Sequence, residues 1–144
     1  MKIKRLFRVQ LELLFHEYEQ IRPNMYFEAQ KLDDDFVITD ISDELIHSVH
    51  LNYKHLKGES INTVFCINND NAIQKYQQIY QLAWNGERVL FYFITNNNSN
   101  LVFLTYIEPQ YQVNQIKKLK GRCVPFEKNT VQNILQHAYQ FVIL

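Results

Sequence analysis

The sequence predicts an α+β domain: a five-stranded antiparallel sheet with a helical crossover on one face and flanking N- and C-terminal helices. Three observations support this class. Residues 4–22 contain no Gly or Pro and have a helical periodicity, and residues 25–32 alternate between apolar and polar side chains. Residues 88–95 and 101–107 are apolar runs that do not alternate, which predicts that both faces of the central strands are covered.

Composition limits the classes of function. The chain has 144 residues, which suits one domain, and it is 47% hydrophobic and 14% aromatic, so a core can form without metals or disulfides. Fifteen basic and fifteen acidic residues give no net charge, which argues against a nucleic-acid partner. Two cysteines are too few for a disulfide framework or a zinc site. No apolar stretch approaches the ~18 residues of a membrane span, which predicts a soluble chain. Both cysteines lie in apolar segments, which fits a reducing cytoplasm.

Residues 1–23 are predicted to be an N-terminal amphipathic helix that ends before Pro23. Five apolar residues follow a heptad spacing and form a predicted dimer seam: Phe7, Leu11, Leu14, Tyr18 and Ile21. A neighbouring stripe is also apolar, so one side of the helix can pack on its own domain and another side on a second copy. We therefore expect a homodimer, with a helix packed wholly within one chain as the alternative.

The first two strands and the crossover follow in order. Strands are predicted at 25–32 and 36–41, joined by an aspartate-rich turn. Ser42 can cap a short helix, and Gly58 permits a tight turn. A longer helix is expected over residues 73–83, where apolar residues share one face, and it stops at Asn85 and Gly86.

The second half of the chain is predicted to be a three-stranded meander and a last helix. The strands are expected at 88–95, 101–107 and 117–126, with a polar connection over 108–115. Residues 129–144 are predicted to be a C-terminal helix capped by Asn129 or Thr130. The whole order is helix, two strands, helical crossover, three strands and helix.

Four short segments occur in an order that is typical of one family. They are the strand at 36–41 with Ser42 where Asn is usual, Leu-Lys-Gly-Glu-Ser-Ile at 56–61, Ala-Trp-Asn-Gly-Glu at 83–87 and Leu-Lys-Gly-Arg-Cys-Val at 119–124. This set resembles the PAS domain family over a domain placed at residues 24–128. The chain departs from the family pattern at His50-Leu51, where Gly-Tyr is usual, and at residues 125–128, which replace an Asp-Ile-Thr signal.

The resemblance implies a sensory and dimerisation module in signal transduction. PAS domains sense small ligands, light, gases or redox state, or pair signalling proteins. The flanking helices resemble the dimerising and output helices of such modules. The C-terminal helix would then lead to an output domain, and the chain would be the sensor at the start of a histidine kinase or a cyclic-dinucleotide (GGDEF/EAL) enzyme.

The PAS pattern also implies where a ligand pocket would lie. Eight residues are expected to border it: Thr39, Ile41, Leu45, Val49, Tyr76, Tyr80, Leu119 and Cys123. Their apolar character with a few hydroxyl groups suits a small apolar or aromatic ligand. The alternative is that large Phe and Tyr side chains fill this space and leave no cavity.

The cofactor is unknown, because the sequence supports neither flavin nor haem. Flavin photochemistry in light-sensing relatives uses a thiol in an Asn-Cys-Arg-Phe-like segment, and Cys66 has neither the flanking Asn nor the Arg. Haem-binding PAS domains usually place an axial His on the long helix, where this chain has none. His47 and His50 could share a helix face and bind a metal weakly, but a surface role is favoured and no metal site is predicted.

The sequence predicts no enzyme activity. No nucleophile with a base and an orienting group is evident, and the chain has only 3 Gly and no phosphate-binding loop. Two alternatives stay open beside the PAS interpretation. One is an enzyme or carrier on a cystatin-like α+β cone, for which Asp40 would be the internal acid. The other is a ligand-free interaction domain.

Overall fold

A computed structural model describes residues 2–21, 25–49, 56–65, 70–95, 98–135 and 141–144. The elements follow in chain order: α1 (Lys2–Glu19), β1 (Tyr26–Leu32), β2 (Asp35–Ile41), α2 (Asp43–Ser48), α3 (Ile61–Val64), α4 (Asp70–Trp84), β3 (Val89–Thr95), β4 (Asn98–Gln112), β5 (Gln115–Glu127), α5 (Lys128–Leu135) and β6 (Phe141–Ile143).

The strands form one antiparallel sheet in the order β2-β1-β5-β4-β3-β6. The β1–β2 hairpin joins the meander through β1 and β5, where Phe27 is opposite Gly121. The chain therefore leaves the sheet after β2 and returns at β3, and α2, α3 and α4 make the connection. The five predicted strands and the helical crossover are confirmed.

The β4–β5 hairpin is longer than the sequence predicts. Val113 and Asn114 both have positive φ, 51° and 66°, at a two-residue turn whose twist matches that of the strands. Pairing begins next to this turn, between Gln112 and Gln115, so polar residues expected in a loop lie in strands. Pro109 is tolerated because it lies beyond Ile107, the last β4 residue that pairs with β3.

The prediction of one helix over residues 129–144 is wrong at its C-terminal end. The helix is α5, and Phe141–Ile143 form β6, which pairs with the edge of β3. Leu144 N donates to Arg88 O at 2.8 Å and continues this pairing. The apolar spacing suited a helix locally, but the open edge of β3 offers the backbone partners that a Phe-Val-Ile segment accepts readily. Residues 136–140 lie outside the described part of the chain.

Side chains pack on both faces of the sheet, as the apolar runs of β3 and β4 predicted. The crossover core lies between the sheet and α2, α3 and α4, and includes Phe27, Leu45, Phe65, Tyr80 and Phe103. The outer core lies on the opposite face, beneath α1 and α5, and includes Leu11, Phe15, Tyr106, Phe126 and Val131.

Candidate functional site

The crossover core contains most of the residues predicted to border a pocket. Six of the eight are buried in it: Ile41, Leu45, Val49, Tyr80, Leu119 and Cys123. Tyr76 packs against this core and is partly buried. Thr39 lies at a β-bulge, where Glu28 pairs with Asp40 and Ala29 with Ile38, and its Oγ1 atom is buried without a hydrogen-bond partner.

Four phenylalanine rings make three successive contacts within the crossover core. Ring centroids are 5.3 Å apart for Phe27 and Phe65, 4.9 Å for Phe65 and Phe93, and 5.1 Å for Phe93 and Phe103. The sequence prediction of the pocket missed these four phenylalanines, although Phe93 lies in the apolar run that indicated a doubly covered strand. These rings belong to the same core as the predicted pocket residues.

The polar groups of the crossover core are uncharged. The Cys123 thiol accepts a hydrogen bond from Thr105 Oγ1 at 3.4 Å, and burial raises the pKa of Cys123 to about 12 despite this bond. Tyr76 Oη donates to Tyr92 O at 3.3 Å, and burial raises the pKa of Tyr76. Burial also raises the pKa of Tyr80, well above its ordinary value. At neutral pH these groups therefore offer hydrogen bonds and no net charge.

Asp35 ties the crossover helices to the sheet. Its Oδ1 accepts from Ser60 Oγ at 3.3 Å, just before α3, and from Gln77 Nε2 of α4 at 3.1 Å. Backbone bonds from Gly58 N to Ile38 O and from Ile38 N to Glu59 O fix the turn against β2. Gly58 has φ 85°, which explains the glycine in the Leu-Lys-Gly-Glu-Ser-Ile segment.

The predicted dimer seam of α1 lies mostly against the protein's own sheet. Leu11 is 3% exposed in the outer core, Leu14 packs against that core, and the Tyr18 ring is 4.8 Å from that of Phe126. Ile21 is 70% exposed, and the side chain of Phe7 lies outside the described part. Leu11 is therefore unavailable to a second copy unless α1 leaves its sheet, whereas Tyr18 is still 38% exposed.

Two α1 residues outside the predicted seam, Phe15 and Glu19, hold the helix against the sheet. Phe15 is fully buried and stacks on Tyr106 with centroids 5.7 Å apart. The Arg122 guanidinium lies 4.8 Å from the Tyr106 ring centroid and pairs with Glu19 at 2.9 Å. The exposed side of α1 carries Val9 and Leu13, which are 49% and 64% exposed.

The residues considered for metal binding and acid catalysis do not form a centre in the described ranges. No group of three or more His, Cys, Asp or Glu side chains is arranged there to hold a metal ion. His47 is exposed, and His50 lies outside the described residues. Asp40 accepts from Tyr26 Oη at 3.2 Å and is opposite Glu28, on the sheet face away from the crossover core. It is therefore not an acid inside that core.

Solved structures with a similar fold include light-oxygen-voltage domains. A light-oxygen-voltage domain studied with a flavin analogue has a TM-score of 0.60 at 10% identity, over 83% of this chain and 90% of that chain. The light-state structure of the blue-light photoreceptor Aureochrome1 LOV has a TM-score of 0.61 at 11% identity, over 81% and 92%. The LOV protein of Rhodobacter sphaeroides has a TM-score of 0.55 at 11% identity, over 79% and 73%.

Light-oxygen-voltage domains are part of the PAS superfamily. The chain has the PAS fold. No protein-family model matches its sequence, and no curated protein sequence does. The PAS resemblance inferred from the four short segments is thus confirmed at the level of fold, and the alternative of a cystatin-like cone is wrong. At 10–12% identity the similarity concerns the fold and does not assign a ligand.

The PAS fold of photoreceptor domains raises the question of whether the crossover core fits a flavin. A flat ring inserted between two others needs a spacing of about 7 Å, twice an optimal carbon–carbon contact of roughly 3.5 Å. The Phe27, Phe65, Phe93 and Phe103 rings have centroid separations of only 4.9–5.3 Å between neighbours. The described residues therefore do not fit a flavin between these rings unless the rings move apart. Cys66 lies outside the described residues.

Within the described residues, no helix is both long and apolar enough to cross a membrane.

Proposed function

We propose that this chain is a PAS-type sensory and dimerisation module in signal transduction. The observation that supports it best is a single sheet with a separate core on each face. β3, β4 and β5 contribute side chains to both the crossover core and the outer core. A change of packing around a ligand in the crossover core would shift these strands and bias the helices on the other face.

The proposed ligand is a small apolar or aromatic molecule. Among the described residues, the buried polar side chains are Ser42, Asn62, Thr95 and Thr105, and none of them carries a charge. A charged ligand would lose its hydration there without gaining a counter-charge. A neutral ligand would gain contact with aromatic rings and with the few hydrogen-bonding groups of the site.

The proposed dimer uses α1, but through the side that faces away from the sheet. Val9 and Leu13 are one helical turn apart and lie opposite the buried Leu11 and Phe15. A second α1 would cover these two exposed aliphatic side chains in the proposed dimer. This replaces the seam of Phe7, Leu11, Leu14, Tyr18 and Ile21 as the proposed contact.

In this proposal, catalysis belongs to a separate output domain. The module itself is a cytoplasmic protein without enzyme activity, and a histidine kinase or a cyclic-dinucleotide enzyme is the output that we propose. α5 packs on the same face as α1, through Val131 in the outer core. A shift of the sheet would therefore act on both helices together.

Native mass spectrometry of the purified protein, before and after denaturation, tests the proposal. We expect a dimer whose native mass exceeds the denatured mass by a small and reproducible amount, because a neutral ligand in a buried site dissociates slowly. The added mass would identify the ligand. A monomer without added mass would overturn both parts of the proposal.

The touching rings of the crossover core favour a second candidate, an interaction domain with a filled core. Phe65, for example, contacts both Phe27 and Phe93 and is 1% exposed. In the same experiment this candidate predicts a dimer whose native mass is twice the denatured mass. Adding small aromatic compounds would then produce no shift in melting temperature.

A further inference from the structure

One buried polar side chain in the crossover region lacks a partner. Asn62 of α3 is 6% exposed, and its Oδ1 atom is buried without any hydrogen-bond donor in reach. Thr39 Oγ1 of β2 and Arg122 Nε of β5 are also buried without a partner, whereas Thr105 Oγ1 donates to Cys123 Sγ. A buried acceptor without a donor is unfavourable, so such an atom in a native fold indicates a partner that the protein chain does not supply.

The position of Asn62 places this acceptor at the edge of the crossover core. Successive residues of a helix are about 100° apart, so Asn62 lies only about 60° around α3 from Phe65. Ile61, Val64 and Phe65 all belong to the crossover core. Thr63 points the other way and is exposed. The unpaired oxygen is therefore beside the buried aromatic side of α3.

The surroundings define the chemistry of the missing partner. It must donate an O–H or N–H group to Asn62 Oδ1. It must also be neutral, since no charged side chain is among the described buried residues. The remainder of the molecule must be apolar or aromatic to pack beside Phe65.

We infer that Asn62 is the polar anchor of the ligand site, and that the ligand is a neutral aromatic or apolar molecule with one hydrogen-bond donor. This inference rests on the proposed sensory function and adds a chemical requirement to it. An aromatic molecule without a donor would leave Asn62 Oδ1 unpaired. It would therefore bind more weakly than its hydrophobicity alone predicts.

Phenol and toluene are suitable probes, because they have nearly the same shape and differ in one O–H donor. Titrations of the whole 144-residue chain, followed by amide chemical shifts, give a dissociation constant for each compound. The variants are Asn62→Leu, which keeps the branched shape without the amide, and the control Thr63→Val on the exposed side of α3. We expect Asn62→Leu to reduce the selectivity for phenol over toluene about tenfold, and Thr63→Val to leave it unchanged.

The same variant has a second readout in the ligand-free protein. Replacing an unsatisfied amide by an isosteric apolar group should keep the melting temperature at or above that of the wild type. Asn62→Ala serves in the titration if Asn62→Leu does not fold.

Several outcomes would overturn the inference. If both compounds bind and the selectivity does not change, Asn62 is satisfied by water and is not an anchor, while the proposed pocket stands. If neither compound binds, the site does not accept this class of ligand. Native mass spectrometry then distinguishes a wrong ligand class from a wrong sensory function, because absence of any added mass would also overturn ligand sensing itself.

Discussion

At the scale of single residues, the Phe27 ring determines which residue type fits opposite it, at Gly121. It lies in β5 opposite Phe27 of β1, and a β-carbon built on Gly121 would be 2.4 Å from Phe27 Cε1. The Phe27 ring is buried against Phe65 and cannot move aside freely. A glycine is therefore required at this position of β5 by the close approach of the Phe27 ring, and not by its own backbone angles.

We predict that Gly121→Ala lowers the free energy of unfolding by about 1–3 kcal/mol, because the added methyl group overpacks the crossover core. Urea denaturation measures this change. Phe27→Leu removes the ring that causes the clash, so the double variant should lose less stability than the sum of the two single variants. Simple additivity would show that the Phe27 ring is not what excludes a side chain at Gly121.

The same strand shows what residue patterns predicted correctly. The alternation of residues 119–123 predicts that Leu119, Gly121 and Cys123 share one face of β5, and all three are buried. Thr39 was assigned to the pocket from its position in the PAS pattern. It lies at a β-bulge opposite Glu28 and Ala29, which shifts the register by one residue and has no clear signal in the sequence.

At the scale of elements, the sequence of α1 predicts which side of the helix is buried but does not predict what that side packs against. The heptad spacing correctly grouped Leu11, Leu14 and Tyr18 on one side. That side packs on the protein's own sheet, because β4 and β5 present an apolar outer face that includes Tyr106 and Phe126. A spacing of three and four residues predicts a buried stripe equally well against a sheet or against a second helix.

We predict that Leu13→Asp dissociates the proposed dimer without unfolding the protein, because Leu13 is 64% exposed and faces away from the sheet. Analytical ultracentrifugation measures the change in mass, and thermal unfolding checks the fold. Leu32→Asp is a matched control, because Leu32 is 60% exposed at the end of β1. If both variants remain dimers, the exposed side of α1 is not the interface.

At the scale of the whole molecule, the buried tyrosines make stability depend on alkaline pH. Burial raises the pKa of Tyr76 and of Tyr80 in the folded protein, whereas both ionise near pH 10 in the unfolded chain. Above about pH 10 the folded state therefore binds more protons than the unfolded state does. Their stabilising contribution is complete below pH 10 and is lost as the pH rises beyond it.

We predict that the free energy of unfolding falls above about pH 10 by roughly 1.4 kcal/mol per pH unit for each tyrosine that stays protonated in the fold. Urea denaturation at pH 8 to 11 measures this slope. Tyr80→Phe should make the slope shallower by the contribution of one tyrosine, about 1.4 kcal/mol per pH unit. An equal slope in the variant and the wild type would mean that Tyr80 ionises as readily in the folded protein as in the unfolded chain.

The sequence by itself determined the order of elements as far as α5, the two-sided covering of β3 and β4, and the turn at Gly58, because these depend on local periodicity and on backbone angles. Tertiary structure alone decided three further features. It placed α1 on its own sheet and turned Phe141–Ile143 into a strand. It also left Asn62 buried without a donor. Each of these depends on which surface lies opposite after folding, and that surface comes from residues distant in the chain.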